Sequence, residues 1–245
     1  PNLQNIDRPP AKDNPNAKPW HGLQRRALTS RYKNGWIIQL DYAQHELRVY
    51  TAETRDAGFT KAFAADRDVH AATAEELKRP RSEAKAINFS VLYVITPQGL
   101  LAKQGVPLDR GTTLIADWHN LHPELKRFYV KVCRDFIKNG CVTTMFGFRS
   151  VPENVDKTKQ EAKQFIRSIE RGEGDFYYRA SHEVRQLINV MIQGPAVFCT
   201  YLAMPLIEAA LSKFKGKEKP LMVHQIHDSI VIDCPDGIQE EVAKQ

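Results

Sequence analysis

Asp41 closes the apolar run W36-I-I-Q-L-D41, and Asp228 stands between the β-rich runs L221-M-V-H-Q-I and I230-V-I-D-C. If both elements share one sheet, two carboxylates far apart in sequence converge. Paired carboxylates are hard oxygen ligands that suit two Mg²⁺ ions roughly 3.5–4 Å apart, the arrangement that activates a hydroxyl and steadies a leaving oxygen in phosphoryl transfer. Taken singly, each acid reads more simply as a turn residue, because Asp is common in turns.

A second constellation is R81-S-E-A-K85-A-I-N-F89-S-V-L-Y93, which sets two cations and two aromatics at four-residue intervals in a helical pattern. Four helical residues turn through about 400°, so each step drifts only about 40° and the four side chains line one oblique stripe. Arg81 and Lys85 fall near the helix start, where the macrodipole disfavours bare cations by a few tenths of a kcal/mol and a bound polyanion would reverse the sign. Phe89 and Tyr93 offer flat faces to a sugar or base. A surface helix with solvated basic residues and two core aromatics explains the same stripe equally well.

The elements that must position these residues follow from periodicity. Residues 1–34, with Pro9, Pro10, Pro15 and Pro19, read as an irregular basic lead-in. Trp36 to Asp41 fits a buried strand, and E46-L-R-V-Y-T-A-E-T has helical spacing. From about Asp68 to Ile188 the pattern is mostly helical: H70-A-A-T-A-E-E-L, the stripe after Pro80, a segment from Leu108 to Asn139 stopped by Gly140, and Phe165 to Ile192 interrupted near Gly172 and Gly174. C141-V-T-T-M-F-G-F-R149 reads as a small extended turn, the end as a hairpin with an acid at its tip, and K213-F-K-G-K-E-K-P as a solvated loop.

A chain of 245 residues that is 42% apolar can bury a core, and a formal charge of +6 favours an anionic partner. Cys133, Cys141, Cys199 and Cys234 form no C-x-x-C pair and no zinc spacing, so they read as reduced thiols. No uninterrupted run of about eighteen apolar residues and no signal-peptide pattern is present, which predicts a soluble intracellular protein with no membrane partner. The first residue is Pro1 rather than Met, which reads as a fragment.

P1-N-L-Q-N-I6, D41-Y-A-Q-H-E46-L-R48, R81-x-x-x-K85-A-I-N-F89-x-x-x-Y93, R185-x-x-x-N189-x-x-x-Q193-G and H227-D228-S229 follow one another in an order and spacing that resembles the family A DNA polymerases, almost end to end. The resemblance implies an α+β fold: an antiparallel palm sheet in residues 1–50 and 181–245, and an inserted, mostly helical fingers subdomain in 51–180. The thumb and upstream domains of such a right-hand architecture would lie outside this chain. It implies that Asp41 and Asp228, with the Tyr42 carbonyl, hold two Mg²⁺ ions, or Mn²⁺ in their place. Arg81, Lys85 and His70 would grip the incoming deoxynucleoside triphosphate. Phe89 would stack beside the sugar, Tyr93 would sit near the templating base, and Glu46 would close the space of a ribose 2′-OH. Arg185, Asn189 and Gln193 would read the minor groove of primed template DNA, whose acceptors are nearly sequence-independent. His227 would lie near the primer terminus, and Gln44, Arg26 and Arg149 would contact template or phosphate.

Three departures accompany the likeness. Ser229 stands where the family's third motif carries a second carboxylate, Ser90 and Val94 stand where its fingers helix carries glycine, and the link from His70 to Arg81 is short. The first predicts weaker metal affinity, the second a stiffer helix, and the third a trimmed, phage-type member acting in a host cytoplasm. A single-subunit RNA polymerase shares the R-x-x-x-K helix and the aspartate pair, but Glu46 and Phe89 leave little room for a ribose. A catalytically inactive nucleic-acid-binding fragment is the other alternative.

Overall fold

The computed structural model describes residues 28–216 and 218–244. Arg26 and the P1-N-L-Q-N-I6 motif lie outside them. In chain order the elements are β1 (Trp36–Asp41), α1 (His45–Thr54), α2 (Ala57–Ala64), α3 (Val69–Leu77), α4 (Arg81–Leu92), α5 (Pro97–Gln104), α6 (Leu108–Leu121) and α7 (Glu124–Asn139). The hairpin β2 (Val142–Thr143) and β3 (Arg149–Ser150) follows, then α8 (Val155–Glu170), a 3₁₀ turn Phe176–Arg179, α9 (His182–Leu211), β4 (Leu221–Ile226), β5 (Ser229–Cys234) and α10 (Gln239–Lys244). The fold is α+β, mostly helical with small antiparallel sheets, as the sequence predicts. The chain divides into two compact units, one of residues 1–43 with 197–245 and one of residues 44–196.

The first unit is built on a three-stranded antiparallel sheet in the order β1-β5-β4. Ile230, Ile232 and Cys234 of the central strand form its core with Leu211 and Val242; Ile38, Leu40, Ala203, Met204 and Ile207 pack against it. The prediction that β1 is buried is corrected here. It is an edge strand whose alternate residues face outward, and Trp36 and Ile37 remain exposed. Ahead of it, Asp233 of β5 accepts bonds from Ser30 Oγ (2.5 Å), Arg31 N (3.2 Å) and Arg31 Nε (2.9 Å). Gly35 allows this close approach, because a Cβ there would meet Ser30 Oγ at 2.2 Å.

The second unit is helical. On α7, Leu125, Phe128, Tyr129, Val132, Cys133 and Phe136 recur at helical spacing and are buried with Trp118, Phe165 and Phe176. Helix starts follow local chemistry: Asp56, Asp68, Thr96 and Asn154 each accept a backbone N–H from the first turn they cap. The predicted continuous segment from Leu108 to Asn139 is two helices. Pro123 lacks an N–H and forces His122 out of the helical region, which separates α6 from α7. Gly140, at φ 71°, ends α7 as expected. The interruption expected near Gly172 and Gly174 is present between α8 and α9, but the outer bounds differ: α8 starts ten residues before Phe165 and α9 runs on past Ile192 to Leu211. By length and composition α9 would pass for a membrane span, although Gln193 and Glu208 interrupt its apolar sequence. Its first half buries Val184, Leu187, Ile188 and Ile192 in the helical core.

Candidate active site

β1 and β5 pair so that Asp41 lies opposite Ser229, the residue after Asp228. An opposed antiparallel Cα pair is about 4.5–5.5 Å apart and the next Cα lies 3.8 Å away along the chain, so the two acids' Cα atoms are within about 9 Å. β4 and β5 pair Ile226 with Ser229, leaving His227 and Asp228 as a two-residue loop. His227 takes φ 54°, the positive value that the tight primed turns require at their first loop residue. Half-buried Asp228 and exposed Asp41 thus share one end of the sheet, with Tyr42 directly after the strand. Ser229 does not substitute for a carboxylate. It is buried, accepts from Gln39 Nε2 (2.9 Å) and donates to the Ile226 carbonyl (2.9 Å). Among the described residues no group of three or more His, Cys, Asp or Glu is gathered as a metal site. The site there is a pair of hard oxygen donors on one edge, a donor set that fits Mg²⁺ or Mn²⁺ rather than a softer metal.

In the helical unit, α4 buries Ala84, Ile87, Asn88, Val91 and Leu92, and this leaves Arg81 and Lys85 exposed and Phe89 half-buried on the other side. Arg81 is the first residue of the helix, where a bare cation is unfavourable. Its partner is Asp68, which takes Arg81 Nε (2.8 Å) and Nη2 on one oxygen. The other Asp68 oxygen caps α3 through His70 N (2.8 Å) and Ala71 N (3.3 Å) and accepts Gln44 Nε2 (3.2 Å). Burial works to raise the Asp68 carboxyl, but Arg81 and the capping N–H groups outweigh it and hold it below its ordinary value. Gln44, His70 and Arg81 are therefore gathered around Asp68, and the His70 ring lies 5.4 Å from that of Phe89. Behind them Asn88 joins three helices. It contacts His70 Nδ1 (3.1 Å) and Thr73 Oγ1 (3.0 Å), and its Oδ1 accepts from Trp118 Nε1 (2.6 Å). Neither Asp68 nor Asn88 was singled out from the sequence. The signals were there: an Asp before a helical run, and an Asn on a helix's apolar face.

Tyr93 does not continue the stripe as a helical residue. The helix ends at Leu92, Tyr93 leaves it, and Val94 turns the chain at φ 55°. The Tyr93 hydroxyl donates to Glu46 Oε2 (2.5 Å), and Gln193 Nε2 donates to Glu46 Oε1 (3.3 Å). Burial, then the Glu46 charge, pushes the Tyr93 phenol far above its ordinary value, so it stays a donor. Arg185 is held elsewhere, by the Val94 carbonyl (3.3 Å) and the Tyr177 carbonyl (3.0 Å). Asn189 keeps a buried amide oxygen with no hydrogen-bond partner among the described residues. Arg149 lies on β3 against the Cys141 sulfur (3.2 Å), with none of the other candidates among the described residues as a hydrogen-bond partner. The expected stiffening by Val94 is corrected: the residue lies past the helix and strains a turn instead. Ser90 does sit on the helix, where its Oγ accepts from Gln104 Nε2 (3.0 Å).

The chain belongs to DNA polymerase family A, whose model matches residues 1–245. It is 30% identical over 255 residues to DNA polymerase I of Chloroflexus aurantiacus, covering 100% of this chain and 24% of that protein. It is 28% identical over 254 residues to DNA polymerase I of Streptococcus pneumoniae, covering 100% and 26%. The thermostable DNA polymerase I of Thermus aquaticus is 27% identical over 254 residues, at 100% and 27%. The chain thus spans about a quarter of the length of the curated relatives it matches. The fold is similar to the POL domain of Pol1 from M. smegmatis, in complex with DNA primer-template and dNTP. The TM-score is 0.72 at 21% identity, over 100% of this chain and 40% of that one.

Proposed function

We propose that this chain is the palm and fingers portion of a template-directed DNA polymerase that adds deoxynucleotides to a primer 3′-OH. The observation that carries the reading is the β1–β5 register, which brings the strand end of Asp41 opposite Ser229, the residue after Asp228, in a member of this family. The palm is assigned to the sheet-bearing unit and the fingers to the helical unit. The thumb and upstream domains are assigned to the remainder of a polymerase about four times as long as this chain, the length the relatives have.

Asp41, Asp228 and the Tyr42 carbonyl would hold two Mg²⁺ ions, or Mn²⁺, which when bound lower the pKa of the primer hydroxyl and steady the departing pyrophosphate. Arg81 and Lys85 bind the triphosphate, and His70, a neutral ring at pH 7 because burial lowers its pKa, adds a hydrogen bond rather than a charge. Phe89 flanks the sugar. Glu46, fixed by Tyr93 and Gln193, excludes a 2′-OH, because a held side chain rejects the extra hydroxyl better than a mobile one. Exposed Gln193 is assigned to the minor groove, where its amide N–H can donate to the base acceptors, and Arg185 and Asn189 of the same helix are assigned beside it. Gln44, His227 and Arg149 are assigned to template, primer terminus and phosphate.

The test is Mg²⁺-dependent extension of a primed template with dNTPs and, separately, rNTPs. DNA synthesis from dNTPs alone is expected. A protein that binds primed DNA but extends nothing under Mg²⁺ or Mn²⁺ is an inactive binding module, and preferential rNTP use makes it an RNA polymerase.

A further inference from the structure

Asn88 is fully buried on the apolar face of α4, and every hydrogen bond it makes has a direction fixed by one neighbour. The indole N–H of Trp118 is a donor only, so the Asn88 atom it meets at 2.6 Å is the amide oxygen. Both amide hydrogens then point the other way, to Thr73 Oγ1 (3.0 Å) and His70 Nδ1 (3.1 Å). Thr73 gives its own proton to the Val69 carbonyl (2.9 Å), which leaves a lone pair for Asn88. His70 Nδ1 must accept, and a neutral imidazole that accepts at Nδ1 carries its proton on Nε2.

We infer that Asn88 is a positioning residue for His70, setting the Nε2–H tautomer and the ring orientation so that this N–H donates to a nucleotide phosphate. The inference rests on the proposed role of His70 as a phosphate contact. The opposite tautomer would present a lone pair to an anion, which repels it. The neutral state that makes the tautomer matter has its own causes: burial, with the Arg81 and Lys85 cations on α4, lowers the His70 pKa, while Asp68 at the start of α3 works the other way. A desolvated amide between a histidine and a tryptophan is a costly device unless fully bonded, and here each of its hydrogens and its oxygen has a partner.

The experiment is a long-range proton–nitrogen correlation spectrum of the intact protein labelled with ¹⁵N-histidine, recorded without nucleotide, beside steady-state kinetics of Asn88→Asp and His70→Ala. His70 is expected to show its bare nitrogen at Nδ1. In Asn88→Asp, Trp118 still donates to the carboxylate, and Thr73 can do so only by giving up its bond to the Val69 carbonyl, but His70 must donate too, so its proton moves to Nδ1. The KM for dNTP should rise about tenfold or more at pH 8 with kcat changed less, the loss of one hydrogen bond to a charged group. The gap should narrow as the pH falls, where a second proton restores Nε2–H; the introduced carboxylate and Asp68 favour that proton, and Arg81 and Lys85 oppose it. A proton on Nδ1 in the unsubstituted protein overturns the inference whatever His70 binds, and decides the matter even if the variant fails to fold. An unchanged KM in His70→Ala overturns the phosphate reading and the assigned role with it, while leaving the tautomer as measured.

Discussion

Val94 is a β-branched residue at φ 55° and 3% exposed, held between the end of α4 and the bond that its carbonyl accepts from Arg185. At an ordinary buried helical site, going from Ala to Gly loses one methyl, about 0.8 kcal/mol, and about 0.8–1.0 kcal/mol of helix propensity. The total is roughly 1.5–2 kcal/mol by those two terms. Val91, inside α4 and equally buried, is such a site. At Val94 an alanine also carries the left-handed penalty of about 1–2 kcal/mol that glycine escapes. Val94→Gly should therefore match Val94→Ala within about 0.5 kcal/mol, whereas Val91→Gly should be less stable than Val91→Ala by roughly 1.5–2 kcal/mol. Urea denaturation of the four variants measures both differences, and in melting temperature the contrast is about 2–4 °C per kcal/mol. Equal Ala-to-Gly losses at the two positions would refute the strained turn.

Tyr93→Phe keeps the ring but removes one of the two bonds that hold Glu46, leaving that of Gln193, so the ratio of kcat/KM for dNTP over rNTP should fall up to about tenfold; an unchanged ratio would mean that Tyr93 does not position the sugar gate. Asp68→Asn keeps the cap of α3 but releases Arg81 from an exposed ion pair worth at most about 1 kcal/mol, so stability should change little while KM for dNTP falls two- to fivefold. A higher KM would mean that Asp68 aligns Arg81 rather than competing for it. Asp56 is buried, which works to raise its pKa, but the bond and charge of His122, the Phe59 N–H and the Tyr50 hydroxyl together hold it below the ordinary value. A carboxyl lowered on folding stabilises above the unfolded pKa of about 3.9 and loses that contribution as the pH falls through and below it. The stability gap between the unsubstituted protein and Asp56→Asn should shrink as the pH falls below about 4; a gap that widens in acid would contradict this.

The strands, the hairpin acid and the start of α4 were legible because apolar runs, proline and glycine act locally. Legible too was that the strand of Asp41 and the hairpin of Asp228 share one sheet, though only as a condition, since register depends on β1 crossing the whole chain to reach β5. The exposure of β1 was not legible, because Trp36 and Ile37 are apolar whichever side of an edge strand they face. Tyr93 continued a helical spacing that the chain abandons at Val94, and nothing in a valine announces a positive φ. Arg185 kept the same spacing, yet two backbone carbonyls hold it. Asp68 and Asn88 were missed because a single polar residue shows its role only through partners on other helices.

The central claim is that Asp41 and Asp228 act on the same divalent ions. Mn²⁺ titration followed by electron paramagnetic resonance, with primer extension on the same samples, tests it in the unsubstituted protein, Asp41→Asn and Asp228→Asn. Each single substitution should weaken Mn²⁺ binding at least tenfold and stop extension; either variant binding Mn²⁺ and extending primers as the unsubstituted protein does would contradict it.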